Sequence, residues 1–142
     1  MKVEHEVTIN RPVGDVFAYI TDPANLTLWQ EGLHDVKRED DGPVGLGSRW
    51  TEKRTVMNRD MDASVEVVEY QPDSRFTIQS VSGSVQMRVE HDLASSGVGT
   101  KLRIVGEGEA GGVMKLAQPM IKRQAKQMIE ADLGRLKQVL EN

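Results

Sequence analysis

The chain has 142 residues, with 18 Lys and Arg against 22 Asp and Glu, three His and no Cys. That length fits one domain, 1–142, with a core of its own, and the net charge of −4 argues against a nucleic-acid partner, whose phosphates draw affinity from an excess of Lys and Arg. The missing cysteine removes disulfides, thiolate metal sites and cysteine nucleophiles, and fits a reducing, cytoplasmic setting.

The opening Met1-Lys-Val-Glu-His-Glu lacks the apolar stretch of a signal peptide, and no run is long and apolar enough for a membrane span, so no integral membrane segment is expected. Val3, His5, Val7 and Ile9 alternate with Lys2, Glu4, Glu6 and Thr8, which predicts a half-buried strand. Pro12 suits the first turn of a helix; Val13, Val16, Phe17 and Ile20 then form one apolar stripe, which Asp22-Pro23 ends. A second short helical piece is expected around Leu26 to Trp29. From Leu33 to Glu109, turn-forming clusters such as Asp41-Gly42-Pro43, Gln71-Pro72-Asp73 and Ser95-Ser96-Gly97 delimit six strands, at about 33–40, 48–58, 61–70, 75–82, 85–94 and 100–109. Their short connections favour an antiparallel meander.

A long amphipathic helix from about Val113 to Leu140 follows, with Ile121, Ala125, Met128, Ile129, Leu133, Leu136 and Leu140 at spacings of three and four. Pro119 within it predicts a kink or a late start. Such a helix must lie on the sheet, and a curved sheet gripping one long helix tends to leave a cavity suited to a small molecule.

Alternation also sorts the strand faces. Val85, Met87, Val89, His91 and Leu93 share one side, as do Ala63, Val65 and Val67, Phe76 and Ile78, and Leu102 and Ile104. At 48–58, Trp50 and Val56 share their face with Glu52 and Arg54. Two explanations stand: a polar stretch of cavity wall, or an edge strand whose charges are solvated. His91 points inward, either as a general base or as a hydrogen-bonded core histidine, so His91, Arg54 and Glu52 are the weak catalytic candidates. Met114, Met120 and Met128 either line a pliable pocket or pack the core.

Several motifs carry less than their letters suggest. Glu90-His91-Asp92 and Glu4-His5-Glu6 alternate faces on strands and cannot converge on one ion, so no metal is expected. Gly106-Glu-Gly-Glu-Ala-Gly111 matches GxGxxG, but no strand follows the helix, and Glu107 and Glu109 would sit beside a pyrophosphate, so no cofactor is expected. The serine-rich turns lack a strand-to-helix elbow. Lys115, Lys122, Arg123 and Lys126 form either a solvated helix face or a contact for an anionic head group or membrane surface.

The order of strand, two short helices, six strands and a long helix resembles the START-like (SRPBCC) superfamily. So do the segments Ile9-Asn-Arg-Pro-Val-Gly-Asp-Val-Phe-Ala-Tyr-Ile-Thr-Asp-Pro, Val44-Gly-Leu-Gly-Ser-Arg-Trp50, Val68-Glu-Tyr-Gln-Pro-Asp-Ser-Arg-Phe76, Gly99-Thr-Lys-Leu and Leu136-Lys-Gln-Val-Leu-Glu141, which are most similar to the polyketide cyclase/dehydrase-like branch. The resemblance implies an α+β helix-grip fold, with a curved seven-stranded antiparallel sheet around a long C-terminal helix and two short helices after the first strand. It further implies a deep cavity for a small hydrophobic or amphipathic molecule, such as a lipid, quinone or polyketide-like compound. On that analogy Trp29, Trp50, Arg54, Val65, Ile78, Met87, Val89, His91, Met120 and Gln124 line it, in a monomer or weak homodimer. Three functions stay open: a carrier, a cofactor-independent cyclase, dehydratase or isomerase, and a protein-interaction module.

Overall fold

The computed structural model describes residues 1–56, 58–83, 86–109 and 117–142. Strand β1 (Lys2–Ile9) leads into helix α1 (Val13–Ile20), a 3-10 turn (Pro23–Asn25) and helix α2 (Leu26–Trp29). Strands β2 (Leu33–Arg38), β3 (Arg49–Val56), β4 (Arg59–Gln71), β5 (Arg75–Gly83), β6 (Gln86–Ser96) and β7 (Gly99–Glu109) precede helix α3 (Gln118–Glu141). All neighbours are antiparallel, in the order β1-β7-β6-β5-β4-β3-β2. The meander expected from the turn clusters is thus present, closed by β1 pairing along β7.

Local chemistry explains the element ends. Three hairpins each use one residue with positive φ, Asn58 at 64°, Asp73 at 61° and Gly97 at 62°, and Asn, Asp and Gly are the residues that enter this region at least cost. The Asp22 side chain accepts a hydrogen bond from the Ala24 N–H at 3.0 Å and starts the 3-10 turn. Helix α3 takes Pro119 into its first turn, where a missing N–H loses no helical bond. Val85, Gly111 and the expected helical residues Val113, Met114 and Lys115 lie outside the described residues.

Helix α3 advances in the same direction as β1. Lys137 Nζ donates to the Thr8 carbonyl at 2.6 Å, Arg11 Nη1 to the Leu140 carbonyl at 2.7 Å, and the Asn10 N–H to Glu141 Oε2 at 2.8 Å. These bonds moor the second half of the helix beside the end of β1, where Leu133, Leu136 and Leu140 are buried against Ile9, Leu102 and Ile104 in the core they share with Val16, Phe17 and Ile20 of α1. The first half of the helix consequently lies toward the start of β1. On the opposite face of the sheet, Arg75 and Arg88 pair with Glu69, Glu90 and Asp92, so that face is ionic.

Candidate ligand site

The concave face has two ends of different character. Next to α1 it is filled by an aromatic chain: Phe17 and Tyr70 meet edge-on at 5.3 Å, Tyr70 and Phe76 at 6.3 Å, and Phe76 lies 5.4 Å from the His91 ring. His91 points inward as its alternation requires and is buried. Its Nδ1 lies 2.9 Å from the Phe76 carbonyl, which can only accept; the proton is therefore on Nδ1 and the lone pair on Nε2. Burial pushes the imidazole pKa down to about 4, so at neutral pH the ring is uncharged.

At the other end β3 turns Trp50, Glu52 and Arg54 to the interior. Glu52 is 1% exposed and the Arg54 side chain 18%, while Lys53 between them is exposed. β3 does lie near the edge of the sheet, next to the last strand β2, but its inward charges are not solvated, since Glu52 is buried. Glu52 Oε2 accepts from Trp50 Nε1 at 3.0 Å, and its Oε1 accepts from Arg54 Nη2 at 2.9 Å and Nε at 3.2 Å. Arg54 Nη2 also donates to Gln30 Oε1 at 2.7 Å. A carboxylate so buried is tolerated because its lone pairs are met by donors and its charge by a guanidinium.

A second ion pair braces this corner from α3. Asp132 is buried; Oδ1 accepts from Arg135 Nη2 at 2.7 Å and from the Glu31 N–H at 3.3 Å, and Arg135 Nε donates to the Trp29 carbonyl at 3.1 Å. Burial pushes the Asp132 pKa up, opposed by the Glu31 N–H bond, by Arg135 and by the charge of Arg54. Neither Gln30 nor Asp132 is among the residues expected from sequence. Asp132 is marked there, since it stands four residues after Met128 and four before Leu136 on the apolar stripe; nothing marks Gln30.

Between the corner and the start of β1 the described residues of the wall are less uniformly buried. Val65 and Ile78 are buried, Met87, Val89 and Ser80 half-buried. Strand β7 presents Gly106 and Gly108 on this face, in register with Val89 and Met87. A Cβ on Gly106 would stand 3.7 Å from Ile129 Cδ1, so the helix lies over a strand that contributes no side chain there. Gly106 of the apparent dinucleotide motif lets Ile129 of α3 approach the strand closely. Ile121, Ala125, Met128 and Ile129 are half-buried over this stretch. Met120, 57% exposed, and Gln124, also exposed, are not on that wall: a helix turns about 100° per residue, which sets them to one side of the Ile121–Ala125–Met128 stripe.

An open groove of about 520 Å³ lies at this end of β1, β7, β6 and β5, and no described residue of α3 lines it. It takes in inner-face Ser80, Met87 and Gly108 together with outer-face Gln79, Arg88 and Glu107, so it wraps the rim of the sheet. Of the ten residues expected on the ligand wall it includes Met87 alone. Trp29 and Trp50 belong to the buried core, although Trp29 Nε1 is buried with no hydrogen-bond partner among the described residues.

The three catalytic candidates are not brought together. Glu52 faces Ala63 on β4, whereas His91 faces Phe76, which in turn faces Tyr70 on β4. At about 3.3 Å per residue, the stretch of β4 from Ala63 to Tyr70 places roughly 20 Å of strand between the two rows. His91 belongs to the filled end and the Glu52–Arg54 pair to the other end. Among the described residues no group of three or more His, Asp or Glu is placed to hold a metal ion, and no helix is long and apolar enough to cross a membrane.

This architecture has known counterparts. Residues 1–141 match the model of the family described as polyketide cyclase / dehydrase and lipid transport. The chain belongs to that family. A START superfamily protein from Mycobacterium smegmatis superposes with a TM-score of 0.83 at 14% identity, over 99% of this chain and 97% of the other. A protein from Thermus thermophilus gives 0.85 at 16%, over 97% and 95%, and a conserved protein from Geobacillus kaustophilus gives 0.80 at 18%, over 99% and 95%. At these identities the likeness is one of fold. No curated protein matches the chain.

Proposed function

We propose that the chain binds a small hydrophobic or amphipathic molecule between the concave face of the sheet and the first half of α3. The observation that carries this reading is the gradient along the concave face. Ile9, Val16, Phe17, Ile20 and Phe76 near α1 are buried, whereas Met87 and Val89 on the sheet and Ile121, Ala125, Met128 and Ile129 on the helix are half-buried, beside a strand that presents Gly106 and Gly108. Ligand sites have this make-up: mostly apolar walls with a few placed polar groups. A pliable thioether wall at Met87 and Met128 suits a ligand of irregular shape. The family's association with lipid transport points the same way.

A cyclase or dehydratase reading draws less support. General acid–base work needs its groups within hydrogen-bond reach of one substrate, and His91 stands apart from Glu52 and Arg54 with its Nδ1 committed to Phe76. The test is native mass spectrometry of the purified protein alongside titration with 1-anilinonaphthalene-8-sulfonate, a fluorescent apolar probe. A retained small molecule, or saturable one-site probe binding displaced by a lipid extract, is expected. The absence of both a retained molecule and saturable probe binding would overturn the proposal.

A further inference from the structure

We infer that the buried end of the ligand is a neutral hydrogen-bond acceptor, such as a ketone, quinone or ester carbonyl, which Arg54 takes in preference to a carboxylate; this rests on the reading of the space under α3 as a ligand site. A guanidinium has five N–H groups, all donors. The Nε–H and both on Nη2 are taken by Glu52 and Gln30, which leaves the pair on Nη1 without an acceptor among the described residues. The side chain keeps 18% exposure, so those donors are not sealed in the core and can be reached from outside it. Trp29, the residue before Gln30, adds a donor that is buried and without a partner among the described residues, its Nε1–H. A buried donor without a partner is costly and calls for an acceptor.

Charge decides which acceptor. Glu52, 1% exposed, already neutralises Arg54; Asp132 is within the influence of the same guanidinium and is itself paired with Arg135. The corner therefore holds two cations and two buried carboxylates, and the exposed carboxylate of Glu31 beside Arg135 adds a third negative charge. A carboxylate or phosphate head would add a negative charge that nothing in the corner compensates, which is the costly form of burial. A carbonyl oxygen accepts the same N–H bonds and adds no charge.

The experiment compares three probes that share an alkyl chain, namely methyl nonyl ketone, decanoate and decane, at pH 7, following the Trp29 and Trp50 indole N–H signals by NMR. The ketone is expected to bind about ten-fold more tightly than decanoate and more tightly than decane, with the Trp29 indole signal moving. In Glu52→Gln, which keeps an acceptor for Arg54 but frees its charge, the order should invert in favour of decanoate. Decanoate equalling the ketone in the wild-type protein, the ketone equalling decane, or an unchanged order in E52Q overturns the inference while leaving the ligand site intact. Binding of none of the three removes the ligand-site reading itself, and this inference with it. Should E52Q fail to fold, the wild-type order alone decides.

Discussion

His91 should make the protein acid-sensitive in a pH range where few other groups titrate. Its folded-state pKa is pushed down by burial from 6.5 to about 4, so on acidification the unfolded chain takes up the proton first. The stability contributed by keeping the imidazole neutral is complete above about pH 6.5 and erodes as pH falls toward 4. A ten-fold difference in proton affinity between the folded and unfolded chain corresponds to about 1.4 kcal/mol. Between pH 7.5 and pH 5 the loss from this one residue is about 2 kcal/mol, rising to about 3 kcal/mol below pH 4. The ring is fully enclosed, so solvent screening does not reduce these figures. The comparison variant is His91→Asn, whose amide can still donate to the Phe76 carbonyl but does not titrate. Urea unfolding at pH 7.5 and pH 5, where carboxylate titration is common to both proteins and cancels, should show the wild-type protein losing about 2 kcal/mol more than the variant. Equal losses in the two proteins would mean that the imidazole is charged or solvated in the folded state, and the reading of His91 as an enclosed, neutral ring with its lone pair on Nε2 would be refuted.

Three further outcomes are expected. Arg54→Met leaves Glu52 buried without its cation and should cost about 3 kcal/mol in urea unfolding, whereas the double change Glu52→Leu with Arg54→Met, which removes both charges, should recover most of that loss; a single variant as stable as the double refutes the pairing. Gly99→Ala sets a Cβ 2.7 Å from the Ile9 carbonyl oxygen, backbone against backbone, and should lower stability by about 2 kcal/mol, read as a drop in Tm. Gly106→Ala meets only Ile129 Cδ1 among side chains, at 3.7 Å, and should be close to neutral, while Gly106→Leu fills the space beneath α3 and should weaken the binding of 1-anilinonaphthalene-8-sulfonate several-fold with the far-UV circular dichroism unchanged.

The strand faces are legible in the sequence because side-chain direction in a strand has period two and needs no partner to define it: Trp50, Glu52 and Arg54 share an inner face whatever lies opposite. The long helix is legible in its apolar stripe, and the phase of that stripe by itself sets Met120 and Gln124 off the wall on which the family analogy places them. What alternation cannot supply is position along the strand. His91 and Glu52 share the concave face, and whether they meet depends on the register across three hairpins, in which β4 and β5 slip twice, between Ser64 and Val65 and between Val67 and Glu69. Each slip shifts a whole row, so the separation of the filled end from the other end emerges only from the assembled sheet. The same holds for partners. Glu52 and Arg54 sit two residues apart on one face, and their pairing follows locally; Gln30 reaches Arg54 from the end of α2, and Asp132 reaches the corner because α3 is moored to β1 at Thr8, Asn10 and Arg11. The mooring therefore fixes more than the helix: by setting its phase it brings a second carboxylate to a guanidinium that Glu52 has already neutralised, and that balance of charge turns an apolar space into one that discriminates between polar ends.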